Sequence, residues 1–469
     1  MPKFYIETVG CQMNVLDSEI AASGLMQSGI ERTENRREAD VILFNTCSIR
    51  QHAEDKVYSA LGRLKHWKIV RPFGVLGVLG CMAQKDQKTI FCRAPHVDLV
   101  LGPGQLDILP ETVHRLLDEK IQGAAAPELY VSLQRLENRH TEVVESFRLH
   151  DPVRRSEVRP NRFQAMVRIM FGCDKFCTYC IVPSVRGPEQ SRSPQEILDE
   201  VKTLVGQGVM EITFIGQTVN SYRYKEGGRT VRLSDLLDRA SDIDGLRRIR
   251  FVTNYPRGMD DDLLAAVRDL PKVSEHLHVP AQSGSDAVLK RMKRNYTSAE
   301  YRELVDRIYD TIPGASMTCD FIVGFCGETE EEFQETVELV EYGRFKNSFI
   351  FKYSERPGTK SAELFPDDVP DDVKKRRNNE LLEIQDAISR ERNVEFIGRD
   401  VEILVEGVTK CYENGGFQLS GRTSCDRIVV FDAEDEAIVG RFIKLKIAAA
   451  APFTLFGERH GRRERSAAQ

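Results

Sequence analysis

The 469-residue chain has one tryptophan and no run of 18 apolar residues, so no membrane-spanning helix is read from it. Its first residues, Met1 to Glu7, lack the apolar core of a secretory signal and read instead as a strand. The expected location is therefore the cytoplasm, with no membrane partner. A basic excess is also missing. Lys and Arg number 66 against 72 Asp and Glu, a net charge of −6, which gives no overall pull toward phosphate. Charge is local instead, with eight basic and four acidic residues between Asp151 and Arg192 (8 − 4 = +4). Hydrophobic residues at 41% and charged residues at 29% exclude a disordered or fibrous chain, and the length suggests about three domains. Cysteine is not scarce. Eleven residues, an odd number, are an unlikely disulfide set in a reducing compartment, which directs attention to metal or cluster ligation.

The period of the apolar residues divides the chain in three. Over 2–120, strands Lys3–Val9, Asp40–Asn45, Gly74–Leu79 and Val97–Leu101 alternate with helices Val15–Gln27 and Ala53–Trp67, the pattern of an open parallel α/β sheet. Residues 121 to about 160 are polar and irregular and read as a linker. Over 159–390 the alternation restarts with Ala165–Met170, Glu211–Ile215, Arg248–Val252, Glu275–Val279, Met317–Val323 and Phe349–Tyr353 as strands. Ser193-Pro194-Gln195-Glu196 and Thr297-Ser298-Ala299-Glu300 have the form of capping boxes. Six such units predict a partial (β/α)6 barrel with its chemistry at the C-terminal strand ends. A charged helix from Asp371 to about Arg392 leads into 393–458. There Val401–Val405, Gly416–Leu419, Arg427–Phe431 and Phe442–Ile447 predict a small antiparallel β-barrel. The tail from His460 is polar.

Cys173-x-x-x-Cys177-x-x-Cys180 directly follows the first barrel strand. Three thiolates on one loop can hold three irons of a four-iron cluster and leave the fourth open. An open iron can chelate the amino and carboxylate groups of S-adenosylmethionine. The competing readings are a zinc knuckle, which usually needs a second cysteine pair, and coincidental core cysteines. Cys11, Cys47 and Cys81 form a dispersed set with gaps of 36 and 34 residues, each just past the end of a strand. Strand ends in an open α/β sheet share one edge, where a second cluster can sit; three buried core cysteines are the plainer reading. Cys92, Cys319, Cys326, Cys411 and Cys425 have no ligand-like spacing.

At these residues the chain resembles the radical S-adenosylmethionine methylthiotransferases along nearly its whole length. Gly10-Cys11-Gln12-Met13-Asn14, Asp17-Ser18-Glu19, Asn45-Thr46-Cys47-Ser48-Ile49-Arg50, Cys180-Ile181-Val182-Pro183 and Arg186-Gly187-Pro188-Glu189-Gln190-Ser191-Arg192 resemble the branch of that family that acts on tRNA. The resemblance implies an N-terminal cluster domain, a radical core and a C-terminal TRAM domain. It implies that Cys173, Cys177 and Cys180 hold the radical 4Fe-4S cluster and that Cys11, Cys47 and Cys81 hold an auxiliary 4Fe-4S cluster. Gln217, Ser283 and Gly324 are implied at the S-adenosylmethionine site. Thr218, Asn254-Tyr255-Pro256 and Cys326 depart from the family pattern, which usually has Asn, Ser-His-Pro and Pro there.

The implied reaction is methylthiolation of C2 of N6-(dimethylallyl)adenosine beside the anticodon of tRNA. A 5′-deoxyadenosyl radical would serve the C–H bond, and a second S-adenosylmethionine would give the methyl group. A flavodoxin or ferredoxin would supply electrons to a monomer. Threonylcarbamoyl-adenosine in tRNA, a ribosomal-protein aspartate, and a non-catalytic iron–sulfur RNA-binding role are the alternatives. Arg422 in Gly421-Arg422-Thr423, and Arg154, Arg155, Arg159 and Arg162, are candidate phosphate contacts, or else solvated arginines.

Overall fold

The computed structural model describes residues 1–48, 51–123, 126–131, 154–413 and 415–459, with backbone alone at 51–53. Ile49, Arg50, the residues at 152–153 and the tail from His460 lie outside the described residues.

The first domain is one six-stranded, wholly parallel sheet: β1 (Lys3–Val9), β2 (Glu31–Arg32), β3 (Val41–Thr46), β4 (Val75–Gly80), β5 (Leu99–Leu101) and β6 (Glu128–Tyr130), in the order β2-β1-β3-β4-β5-β6. Every residue of β3 and β4 is buried. Helices cover both faces, so these strands read as continuous apolar runs rather than alternating ones. One face packs Phe4, Leu16, Leu43 and Leu99 together with Val158 and Ile215, which are parts of the barrel and its approach. The other packs Ile42, Phe44, Leu61 and Val78 beneath outer helices.

Two strands escape the apolar pattern. β2 is two exposed residues, and β6 lies in the stretch expected to be linker. The sheet thus runs on to Tyr130, where Arg115 clips Glu128 and the Tyr130 hydroxyl at 2.7 and 2.9 Å. The single helix expected over Ala53–Trp67 is two, Gln51–Arg63 and Lys65–Val70. The break at buried Leu64 turns Trp67 over Gly74, where even a Cβ would come within 2.6 Å of the indole.

The second domain has the six expected parallel strands: Gln164–Arg168, Glu211–Ile215, Arg248–Phe251, His276–His278, Ser316–Val323 and Asn347–Lys352. They form two three-stranded sheets, joined where Ile249 bridges Val273. Among the described residues no pairing joins the first strand to the sixth, so the barrel is partial. Thr297 and Glu300 make the reciprocal capping bonds, at 3.1 and 2.8 Å. Ser193 caps its helix without a side-chain bond; Pro194, which has no amide hydrogen, begins that helix instead.

The third domain is a closed five-stranded barrel of Asp400–Cys411, Phe417–Thr423, Ile428–Ala433, Phe442–Ala450 and Thr454–Glu458. Four pairings are antiparallel, and one, Ile428–Ala433 with Thr454–Glu458, is parallel. Its turn at Asp426 plugs the N-terminal ends of the central strands, opposite the cysteine loop. Arg250 and Lys346 reach Asp426 at 3.2 and 2.8 Å, and Arg248 donates to the Arg422 carbonyl at 3.0 Å. Arg422 itself bonds Asp426 at 3.0 Å and Glu406 at 3.4 Å. Its side chain is thus paired within its own domain and stays about a third exposed, and only its carbonyl meets the radical domain.

The basic approach segment is corrected in part. Arg154 has a side chain 0% exposed, held by Glu19 at 2.9 Å and Glu200 at 2.6 Å. Arg159 is buried and donates to Gln207. Arg155 and Arg162 remain exposed.

Glu200 also takes Arg192 at 2.7 Å, so one buried chain, Glu19–Arg154–Glu200–Arg192, ties the first domain to the second. Removing one partner of such a buried set leaves charge without compensation. Arg154→Ala is expected to cost about 3–5 kcal/mol in urea unfolding; a loss below about 1 kcal/mol, typical of surface pairs, would contradict this role.

At the other joint, burial pushes the His276 imidazole down to about 3, against the pull of Asp426. The unfolded chain takes up this proton near 6.5 and the folded chain does not. Stability from His276 is therefore full above about 6.5 and drains as pH falls toward about 3. His276→Asn is expected to flatten this part of the pH–melting curve; an unchanged slope would contradict it.

Candidate active site

The three dispersed cysteines arrive at one edge because β1, β3 and β4 are neighbours in register. Val9 pairs with Thr46, and Thr46 with Gly80, so Cys11, Cys47 and Cys81 follow three adjacent strand ends. Cys11 is exposed, while Cys47 and Cys81 are buried. A buried amide lattice sets them. Asn14 Oδ1 accepts from the Cys11 amide at 3.3 Å and from its Sγ at 3.2 Å. Asn45 Nδ2 donates to the Asn14 carbonyl and the Ser18 hydroxyl, both at 2.9 Å. A Cβ on Gly10 would stand 2.5 Å from Asn14 Oδ1 and 2.9 Å from Cys47 Cβ, so only glycine allows this approach. The hydrogen bond with Cys47, aided by Arg186, brings the Cys11 thiol down to about 6. Burial pushes the Cys81 thiol up, and Arg186 opposes it.

The second triad lies on the loop after the first barrel strand. Its backbone is tied to the chain past the short helix Asp286–Arg291: the Thr178 amide donates to the Met292 carbonyl at 3.0 Å, and its hydroxyl to Arg291 at 2.9 Å. Cys173 Sγ lies 3.6 Å from Thr218 Oγ1, so one of the residues departing from the family pattern touches a thiol directly. Arg294 Nη1 donates to Cys177 Sγ at 3.4 Å. Burial raises the Cys173 thiol and pushes Cys180 up to about 12.

The two triads are joined by one short segment. Ile181 and Val185, just past Cys180, pack on Cys81. Arg186 closes the same stretch, donating Nε to Cys81 Sγ at 3.2 Å and pairing with buried Asp17 at 2.6 Å. Arg168, at the end of the first barrel strand, takes the other Asp17 oxygen at 2.9 Å. Asp17 and Arg186 stand in motifs the sequence displays, but nothing local signals that they meet across 169 positions.

Of the residues expected at the S-adenosylmethionine site, Gln217 sits at the end of the second strand with Oε1 buried and without a hydrogen-bond partner. A buried acceptor left this way suits a bound donor. Asn254 Oδ1, after the third strand, is orphaned in the same way. Ser283 is fully buried, and its hydroxyl is engaged by Thr336 Oγ1 at 3.2 Å and by the Ser285 amide at 3.1 Å. Gly324 is left-handed (φ +70°), and its amide is taken by Glu328 at 2.6 Å. Among the described residues no three His, Cys, Asp or Glu side chains gather round a single ion. Three thiols on separate irons, as in a cluster, fit both donor sets better than one zinc does. Cys319, Cys326 and Cys425 are buried apart from both triads, and Cys92 and Cys411 are exposed.

Three families match the chain in order: Uncharacterized protein family UPF0004 over residues 3–102, the Radical SAM superfamily over 167–340 and the TRAM domain over 394–459. A tRNA-2-methylthio-N(6)-dimethylallyladenosine synthase of Rhodopirellula baltica is 54% identical over 458 residues, 97% of this chain and 94% of the relative. The chain belongs to this family. Another synthase of that name, from Moorella thermoacetica, is 42% identical over 97% of this chain and 98% of its own. Among solved structures, the radical S-adenosylmethionine methyltransferase TsrM from Kitasatospora setae, with cobalamin and a 4Fe-4S cluster bound, covers 77% of each chain at TM-score 0.51 and 13% identity; it shares the fold. Radical SAM membership makes the chain an enzyme with a 4Fe-4S cluster and S-adenosylmethionine as cofactors.

Gly10→Ala tests the first triad without replacing any of its cysteines. It is expected to reduce the iron retained after anaerobic reconstitution in a chain that still melts cooperatively. Full iron retention would contradict the packing described.

Proposed function

We propose that this enzyme transfers a methylthio group to C2 of N6-(dimethylallyl)adenosine beside the anticodon of tRNA. Cys173, Cys177 and Cys180 hold the radical cluster, and Cys11, Cys47 and Cys81 hold an auxiliary 4Fe-4S cluster. The observation that carries this reading is the contact between the two thiol triads through Ile181, Val185 and Arg186. A reaction that activates a carbon at one centre and delivers sulfur from another needs both beside one substrate. When bound, the cluster of the second triad with S-adenosylmethionine supplies the one-electron chemistry that an aromatic C–H bond requires and acid–base side chains do not provide.

The chain's own part is placement. Gln217 offers its buried oxygen to a ligand donor at the barrel mouth. Ser283, engaged with Thr336, shapes the turn after the fourth strand, and Gly324 lets the chain bend sharply after the fifth. Asp17 holds Arg168 and Arg186, and so holds the sheet edge over the barrel. The target base lies in a single-stranded loop, where leaving the stack costs little. A cytoplasmic monomer reduced by a flavodoxin or ferredoxin completes the proposal. The TRAM domain and the tRNA-modifying relatives support tRNA as the partner. No helix among the described residues is long and apolar enough to cross a membrane.

The two triads are separable by mutation. Cys177→Ala is expected to abolish 5′-deoxyadenosine formation. Cys47→Ala is expected to retain it while yielding no methylthiolated nucleoside by mass spectrometry of tRNA digests. Normal product from Cys47→Ala would refute the auxiliary role, and 5′-deoxyadenosine from Cys177→Ala would refute the radical one.

A further inference from the structure

Arg294 is buried, 6% exposed, at the radical triad. Nη1 donates to Cys177 Sγ at 3.4 Å, Nε to the Tyr296 hydroxyl at 2.8 Å and Nη2 to the Pro280 carbonyl at 2.8 Å. The rings of Tyr255 and Tyr296 lie 4.9 and 5.2 Å from its guanidinium carbon. Four arginines buried at the joint of the two triads have carboxylates: Arg168 and Arg186 share Asp17, Arg154 has Glu19 and Glu200, and Arg192 has Glu200. No carboxylate pairs with Arg294 among the described residues. A guanidinium stripped of water and left without an anion is costly. The backbone is also bent to put it there. Lys293 and Asn295 on either side are left-handed, φ +57° and +56°, a region that residues other than glycine enter at a cost. The same stretch grips the cysteine loop through Thr178.

We infer that Arg294 is a positioning residue whose missing counter-charge is the net-negative cluster held by Cys177. The inference rests on the cluster assignment proposed above. Two consequences follow from the charge alone. Without the cluster, Arg294 is a liability to the folded chain; with it, the pair is satisfied. A fixed positive charge donating to a ligand sulfur also favours the state with one more electron and so raises the potential of that cluster.

Arg294→Met and Arg294→Lys separate charge from shape. Their melting temperatures are compared with wild type, iron-free and after anaerobic reconstitution, and cluster potentials are read by EPR-monitored titration. Iron-free Arg294→Met is expected to be at least as stable as iron-free wild type. Reconstitution is expected to raise the melting temperature of wild type and Arg294→Lys more than that of Arg294→Met. The radical-cluster reduction equilibrium of Arg294→Met is expected to shift at least tenfold toward the oxidised form, about 59 mV for one electron, with Arg294→Lys near wild type and the auxiliary cluster unmoved. Equal thermal gains in all three proteins, an unchanged potential, or an Arg294→Met chain that fails to fold without iron would overturn the inference. Failure of wild type to load iron at Cys173, Cys177 and Cys180, judged against Cys177→Ala, would overturn the cluster assignment and this inference with it.

Discussion

A single buried carboxylate stands where the two halves of the chemistry meet. Asp17, on the first helix after Cys11, spends one oxygen on Arg168 at the end of a barrel strand and the other on Arg186, which also donates to Cys81. All of these groups are buried, so neither arginine can exchange its partner for solvent cheaply. The docking of sheet edge on barrel mouth is thereby held to one register. Buried ion pairs contribute little net stability compared with apolar packing, yet breaking one is expensive. That asymmetry suits a joint that keeps the two thiol triads in a fixed relation. The adjacent chain of Glu19, Arg154, Glu200 and Arg192 fastens the same interface a second time.

The third domain is fastened by a similar device at the far end of the barrel. Asp426 gathers Arg250, Lys346 and Arg422 beneath the N-terminal strand ends. This leaves the C-terminal ends, where the cysteine loop lies, unobstructed by the small barrel. Its own core of Ile403, Leu419, Val429 and Leu455 is separate from that of the radical domain. The joint is polar, and the arginine that looks from its motif like an RNA contact meets it only through its carbonyl.

The sequence displays its periodic features well and its long-range pairings hardly at all. β1, β3 and β4 each end in a cysteine one strand–helix unit apart, and parallel topology alone brings those ends together. The six barrel strands and the Thr297 cap are legible for the same reason: their signals are local. β2 and β6 are not, because strands of two or three residues without buried alternation resemble loop. Arg154 looks like solvent-facing charge in sequence and lies buried because its carboxylate partners, Glu19 and Glu200, come from other parts of the chain. Ser283 has the same limit, since its engagement depends on Thr336, 53 positions away. Arg294 carries no signal beyond its type; what marks it is that no carboxylate among the described residues pairs with it in space.

Asp17 holds the two thiol triads in one fixed relation. Pulsed dipolar EPR on the anaerobically reconstituted, reduced protein measures that relation directly. Wild type should give a single, narrow distribution of distances between the centres, and Asp17→Asn, with both centres still loaded, should broaden it. A distribution equally narrow in the variant would show that the carboxylate does not set the geometry.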